Sequence, residues 1–119
     1  MSTEVTHEGK LRVLNLFDYQ HGFKVLQTAK LSQTAVMVLM PSEETARAPE
    51  LHARSEQVVY VVEGTLQAYI GEESRRISEG DIVIVEKGVM HRFVNASERR
   101  AVAFTVYAPP AYEANAEED

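Results

Sequence analysis

Apolar residues along this chain arrive in short bursts, each closed by a cluster of turn residues, and never in the stripes of an amphipathic helix. Leu11–Phe17, Phe23–Leu31 and Thr34–Met40 are predicted as three early strands, rich in Val, Leu and aromatic residues. Pro41-Ser42-Glu43-Glu44 breaks the third, and a polar loop with room for one helical turn over Ser42–Ala48 runs to Pro49. Gln57–Val62, then Glu63-Gly64, then Thr65–Ile70 reads as strand, tight turn, strand. Further strands are expected at Arg75–Ile77, Asp81–Val85, His91–Val94 and Arg99–Tyr107. Pro109-Pro110 ends the last, because proline offers a ladder no N–H. Many short strands at near-regular spacing, with Gly-containing turns, predict an all-β sandwich or barrel.

Composition narrows the functional classes. A chain of 119 residues is one domain by size and large enough for a real core without disulfides. It has no Cys, which removes thiolate metal sites and cysteine nucleophiles along with disulfides. No apolar run approaches the ~20 residues of a membrane span, and the start, MSTEVTHEGKLRV, lacks a signal-like apolar region. A cytoplasmic protein with no membrane partner is the expectation. The formal charge is −6, and removing the four acids of Glu113–Asp119 leaves −2. With no basic cluster, nucleic-acid binding is not expected. The organisation expected is a flexible segment at 1–10, a barrel domain at 11–110 and a solvated acidic tail at 111–119.

Two segments carry more than fold information. One runs from Glu50 through His52 and Gln57 to Gly64; the other runs from Gly80 through Gly88 and His91 to Asn95. Together they resemble the two signatures of the cupin superfamily, G-x5-H-x-H-x3-4-E-x6-G and G-x5-P-x-G-x2-H-x3-N. The second matches at Gly80, Gly88, His91 and Asn95, with Glu86 in the proline position. The first keeps His52 and Gly64, whereas Glu50 stands where the first histidine belongs and Gln57 where the glutamate belongs. The resemblance implies a double-stranded β-helix, the jelly-roll-like cupin barrel, and a homodimer.

Side-chain parity bears on the same residues. Glu50 and His52 share a face of an extended segment, as do His91, Phe93 and Asn95, and as do Gln57, Val59 and Val61. His52 and Gln57 have opposite parity, so they converge only if the chain bends near Arg54-Ser55. Carried over position by position, the resemblance implies a divalent-metal site made of Glu50, His52, Gln57 and His91. Two imidazoles, one carboxylate and one neutral oxygen suit Zn, Ni, Fe or Mn. Asn95 is expected to fix a turn, and Met37, Met40, Tyr60, Phe93 and Phe104 to pack the core, a subunit interface or the pocket. Arg54 and Arg92 are expected in ordinary surface pairing.

Two functions follow as expectations. One is a metal-dependent enzyme, isomerase-, lyase- or oxygenase-like, acting on a small polar substrate. The other is a non-catalytic small-molecule-binding or sensory module that uses the same pocket with a degenerate metal site. No second acid–base pair singles out a reaction, and no catalytic residue is assigned.

Overall fold

The computed structural model describes residues 9–45, 52–113 and 117–118. Its strands are β1 (Gly22–Thr28), β2 (Gln33–Leu39), β3 (Glu56–Glu63), β4 (Thr65–Ile70), β5 (Glu73–Ser78), β6 (Ile82–Val85), β7 (His91–Val94), β8 (Ala101–Ala108) and β9 (Glu117–Glu118). They form two antiparallel sheets. The larger has the order β6-β3-β8-β2-β1-β9, and the smaller has the order β5-β4-β7. The fold is the all-β double-stranded β-helix expected.

The chain passes from one sheet to the other through the β3–β4 turn. Gly64 sits there at φ +82°, and a Cβ would lie 2.5 Å from the carbonyl oxygen of Arg100, so no other residue fits without a shift. Between the sheets lies one core, built from Met37, Leu39, Val59, Val61, Leu66, Ala68, Ile77, Val85, Phe93, Ala101 and Ala103. Phe93 and Leu66 are each 1% exposed, and burying either contributes roughly 1.5–3 kcal/mol. A second, smaller cluster lies on the outer face of the larger sheet, where Leu16, Tyr19, Leu26 and Val62 cover Val36, Val38 and Val102. This explains the unbroken Ala35–Leu39 run: with both faces of β2 covered, every position is apolar.

One expected strand is not a strand. Within Leu11–Phe17, Asn15 accepts a hydrogen bond from the Phe17 N–H and starts a single 3-10 turn at Leu16–Asp18. The open edge of β1 is taken by Glu117–Glu118, which pair with Lys24 and Phe23, so the early segment finds no ladder. It is held instead by Gln27, whose amide donates to the Arg12 carbonyl, and by the Arg12 guanidinium on the Thr28 carbonyl. The second early strand stops at Thr28, because Ala29 and Ser32 close a turn through a 2.9 Å backbone bond.

Candidate functional site

The site forms where the ends of β3, β7 and β8 meet. Gln57, second residue of β3, points inward at 2% exposure, opposite Tyr107 of β8. Its Nε2 donates to Thr105 Oγ1 at 3.0 Å and to the Tyr107 hydroxyl at 3.1 Å. Both donor hydrogens of the amide are thereby used, and its Oε1 is buried with no hydrogen-bond partner among the described residues. His91 opens β7 and is 3% exposed. Its Nδ1 lies 3.0 Å from the Val89 carbonyl oxygen, which requires that nitrogen to carry a proton, so any ligand on this ring must be met by Nε2.

His52 reaches the same place by the bend required of it, because the chain turns at Ala53–Arg54 before β3 begins. Its ring lies 5.1 Å from that of His91 at an interplanar angle of 40°, and 5.1 Å from Tyr107 edge-on. Burial, and secondarily the nearby His91, hold its pKa below the ordinary 6.5, so the imidazole is neutral at pH 7. Neutral imidazole is the ligating form. Two imidazoles sharing one ion at about 2.1 Å per nitrogen have ring centroids about 5 Å apart, which is the separation seen here. Two rings in van der Waals contact reach the same separation, so the spacing allows a shared ion without requiring one.

A cavity of about 200 Å³ adjoins Gln57, His91 and Tyr107. Gln57, His91 and Tyr107 contribute polar groups to its lining, and Phe23, Met37, Leu39, Phe93 and Tyr112 apolar surface. Glu43, Glu44 and Thr45 reach it from the loop after β2, which is bonded along β7. Ser42 N–H donates to the Asn95 carbonyl, Asn95 N–H to that of Glu43, and Thr45 N–H to that of Phe93, at 2.8, 2.8 and 2.9 Å. Glu43 also accepts from the Met40 N–H at 2.8 Å and meets His21 at 3.2 Å; these bonds hold its carboxyl below the usual 4.5. No lysine or arginine lines the cavity among the described residues.

Of the four residues expected to hold a metal, His52, Gln57 and His91 come together, while Glu50 lies outside the described residues. Among the described residues no group of three or more His, Cys, Asp or Glu comes together as a metal site. The described donors are two imidazoles and one amide oxygen. Asn95 fixes its turn: fully buried, it donates to the Leu39 and Arg99 carbonyls and accepts from the Ser97 N–H and hydroxyl. Arg92 pairs with Glu44 at 3.2 Å and lies over Tyr69. Met37 and Phe93 line the cavity, whereas Met40 and Tyr60 are substantially exposed.

Tyr107, Thr105 and Tyr112 were not singled out from the sequence. Thr105 and Tyr107 share parity with the inward Ala101 and Ala103 on β8, and that alternation was the available signal. Tyr112 closes the segment Ala108-Pro109-Pro110-Ala111-Tyr112, which resembles the ending of many small bacterial cupins, but nothing in that resemblance gives the residue a place in the site.

The cupin-domain profile matches residues 35–107, more than half of the chain. The chain belongs to the cupin family. A protein of Aquifex aeolicus described as uncharacterized is 28% identical over 86 residues, covering 72% of this chain and 66% of that protein. Among solved cupin-fold structures, a Bacillus halodurans protein superposes with a TM-score of 0.83 at 20% identity, covering 94% of this chain and 91% of its own. A conserved Klebsiella pneumoniae protein with a double-stranded β-helix domain gives 0.75 at 20% identity, covering 92% and 99%. At these identities the structural likeness carries the fold alone. No helix among the described residues of this cupin is long and apolar enough to cross a membrane.

Proposed function

We propose that this cupin holds a divalent cation between His52, His91 and Gln57, with Glu50 completing the set, and that a small polar substrate enters the adjoining cavity. One observation carries the reading: Gln57 Oε1 is a buried acceptor with no bonding partner among the described residues, on the cavity wall that also holds His91. Leaving such an acceptor unpaired costs about 1–3 kcal/mol, which a Lewis acid or a hydrogen-bond donor beside it would relieve. Zn, Ni, Fe or Mn suits the donor set, and a bound ion would polarise a substrate carbonyl or hydroxyl or, if iron, activate oxygen.

The chain's own residues have definable parts in this reading. The Val89 carbonyl engages His91 Nδ1, so the ion would be met by Nε2. Thr105 and Tyr107 hold the Gln57 amide in place on the cavity wall. At roughly 30 Å³ per liquid water, the cavity holds the volume of about six or seven waters, which suits a single-ring or smaller substrate. Isomerase-, lyase- or oxygenase-like chemistry is compatible with such a centre.

A second reading rests on the lack of a carboxylate among the described donors. In it the cavity binds a hydroxyl- or amine-bearing molecule without metal or turnover, and that molecule donates to Gln57 Oε1. Elemental analysis of the purified protein separates the two. The first reading expects close to one equivalent of a transition metal in the wild-type protein and its loss in His91→Ala. A folded wild-type protein that takes up no Zn, Ni, Fe or Mn on dialysis overturns it in favour of the second.

A further inference from the structure

The C-terminal segment after β8 belongs to the cavity, and its attachment is built with unusual completeness. Gln33, first residue of β2, is 1% exposed, and its amide is fully used. Oε1 accepts from the Ala111 N–H at 3.1 Å and the Tyr112 N–H at 3.0 Å. Nε2 donates to the Tyr112 carbonyl at 2.8 Å and to Thr28 Oγ1 at 2.9 Å. Two acceptor sites and two donor hydrogens are all an amide has, and three of these four bonds go to the backbone of Ala111 and Tyr112. Beyond Tyr112 the chain is attached again, where Glu117 and Glu118 pair with Lys24 and Phe23.

Held at both sides, Tyr112 turns its ring into the site. It packs on Phe23 at 4.9 Å, edge-on against Tyr107 at 5.2 Å, and edge-on against His52 at 5.6 Å. It therefore touches β1, β8 and the His52 segment at once, and it lines the cavity. We infer that Tyr112 is the wall that limits the size of molecule admitted to His91, and that Gln33 is the residue that positions it. The inference rests on the reading of this cavity as the ligand site, but it concerns access and needs no bound ligand to be tested.

The test is acylation of His91 by a size series of dialkyl pyrocarbonates, from dimethyl to diethyl to di-tert-butyl, followed by mass mapping. His21, whose side chain is 48% exposed, serves as the reference within the same protein. In the wild-type protein His91 reacts slowly relative to His21, and the larger reagents are discriminated against. Tyr112→Ala should raise the His91 to His21 rate ratio by about tenfold and flatten the dependence on reagent size. Gln33→Ala should move both in the same direction, whereas Tyr112→Phe, which keeps the ring, should leave both near wild type. General loosening would raise amide exchange throughout the sheets and would not restore size discrimination in Tyr112→Phe. An unchanged ratio in folded Tyr112→Ala overturns the inference, as does a Tyr112→Phe protein that behaves like Tyr112→Ala. The reactions are run on protein stripped of metal with a chelator, so that no cation shields His91, and failure of the metal or ligand reading alone then leaves these rates untouched.

Discussion

The backbone N–H of Gly88 donates to the carbonyl oxygen of His52 across 2.8 Å, tying the loop that precedes one histidine to the segment that carries the other. The two cupin signatures are thus joined by a main-chain bond, in addition to facing each other across the barrel mouth. Gly88 adopts φ +77°, the left-handed region in which a side chain costs about 1–2 kcal/mol, although a Cβ there would meet nothing within 4 Å.

Gly88→Ala should therefore destabilise through the backbone alone, lowering the melting temperature by roughly 5–10 °C for a domain of this size. Because the same residue fixes His52, its ring resonances should shift as well. Gly64→Ala should be worse, since it adds a clash with the Arg100 carbonyl to the same backbone penalty. Thermal melts of both variants decide the matter, and equal melting temperatures for Gly88→Ala and wild type would refute the strain argument.

Acid should weaken the fold in two steps. His52 is held below the usual 6.5, first by burial and then by His91, so the folded state resists a proton that the unfolded chain accepts. Its contribution is complete above about pH 7 and is lost as pH falls from 6.5 through the depressed folded value. Glu43, held low by its bonds to the Met40 N–H and His21, adds a second loss as pH falls below 4.5. Melting temperatures of the metal-stripped protein across this range should show both, and His52→Gln should remove the first step only. A melting curve independent of pH between 7 and about 5 would contradict the His52 argument.

The legible part of this protein was the part written in alternation and turn residues. Thr65–Ile70 and His91–Val94 have the strand bounds read from the sequence, because glycine turns and apolar bursts delimit them without tertiary help. Leu11–Phe17 looked like a strand because apolar content was its only local signal. Whether it entered a ladder depended on the edge of β1, which residues more than ninety positions later occupy. The site divides in the same way. His52, Gln57 and His91 sit in spaced motifs, but the Tyr112 contact is set by Gln33, 79 residues away in the chain. Long-range clamps of that kind leave no periodic trace.

The β6 edge of the larger sheet is expected to join two copies. β6 is the sheet's edge, and its Ile82 and Ile84 are 69% and 58% exposed beside Tyr60, which pairs with Ile82 and is 41% exposed. An apolar edge strand left open invites uncontrolled pairing, which a two-fold contact removes. Light scattering should give about twice the 13.3 kDa chain mass at micromolar concentration. Ile82→Glu with Ile84→Glu should shift the protein to monomer without unfolding it. A wild-type monomer under these conditions counts against the interface.

Gln57 offers the sharpest test of the site, because its surroundings already suit a carboxylate. Thr105 and Tyr107 now accept from the amide, and both hydroxyls are able to rotate and donate to a glutamate at the same position. Gln57→Glu should therefore fold, but without metal it buries a charge and should melt below wild type. With Zn or Ni present, the added charge should strengthen binding by tenfold or more, about 1.4 kcal/mol, and the metal-induced rise in melting temperature should exceed that of wild type. If Glu50 supplies the carboxylate in the natural set, Glu50→Gln should weaken metal binding by a similar factor. The two substitutions should then depart from additivity by ~0.5–3 kcal/mol in a double-mutant cycle. An additive cycle with unchanged affinity in Glu50→Gln would remove Glu50 from the site and leave His52, His91 and Gln57. A Gln57→Glu protein that folds and binds no metal at all would remove the cation itself, because the position would then hold a charged ligand beside two imidazoles and still attract nothing.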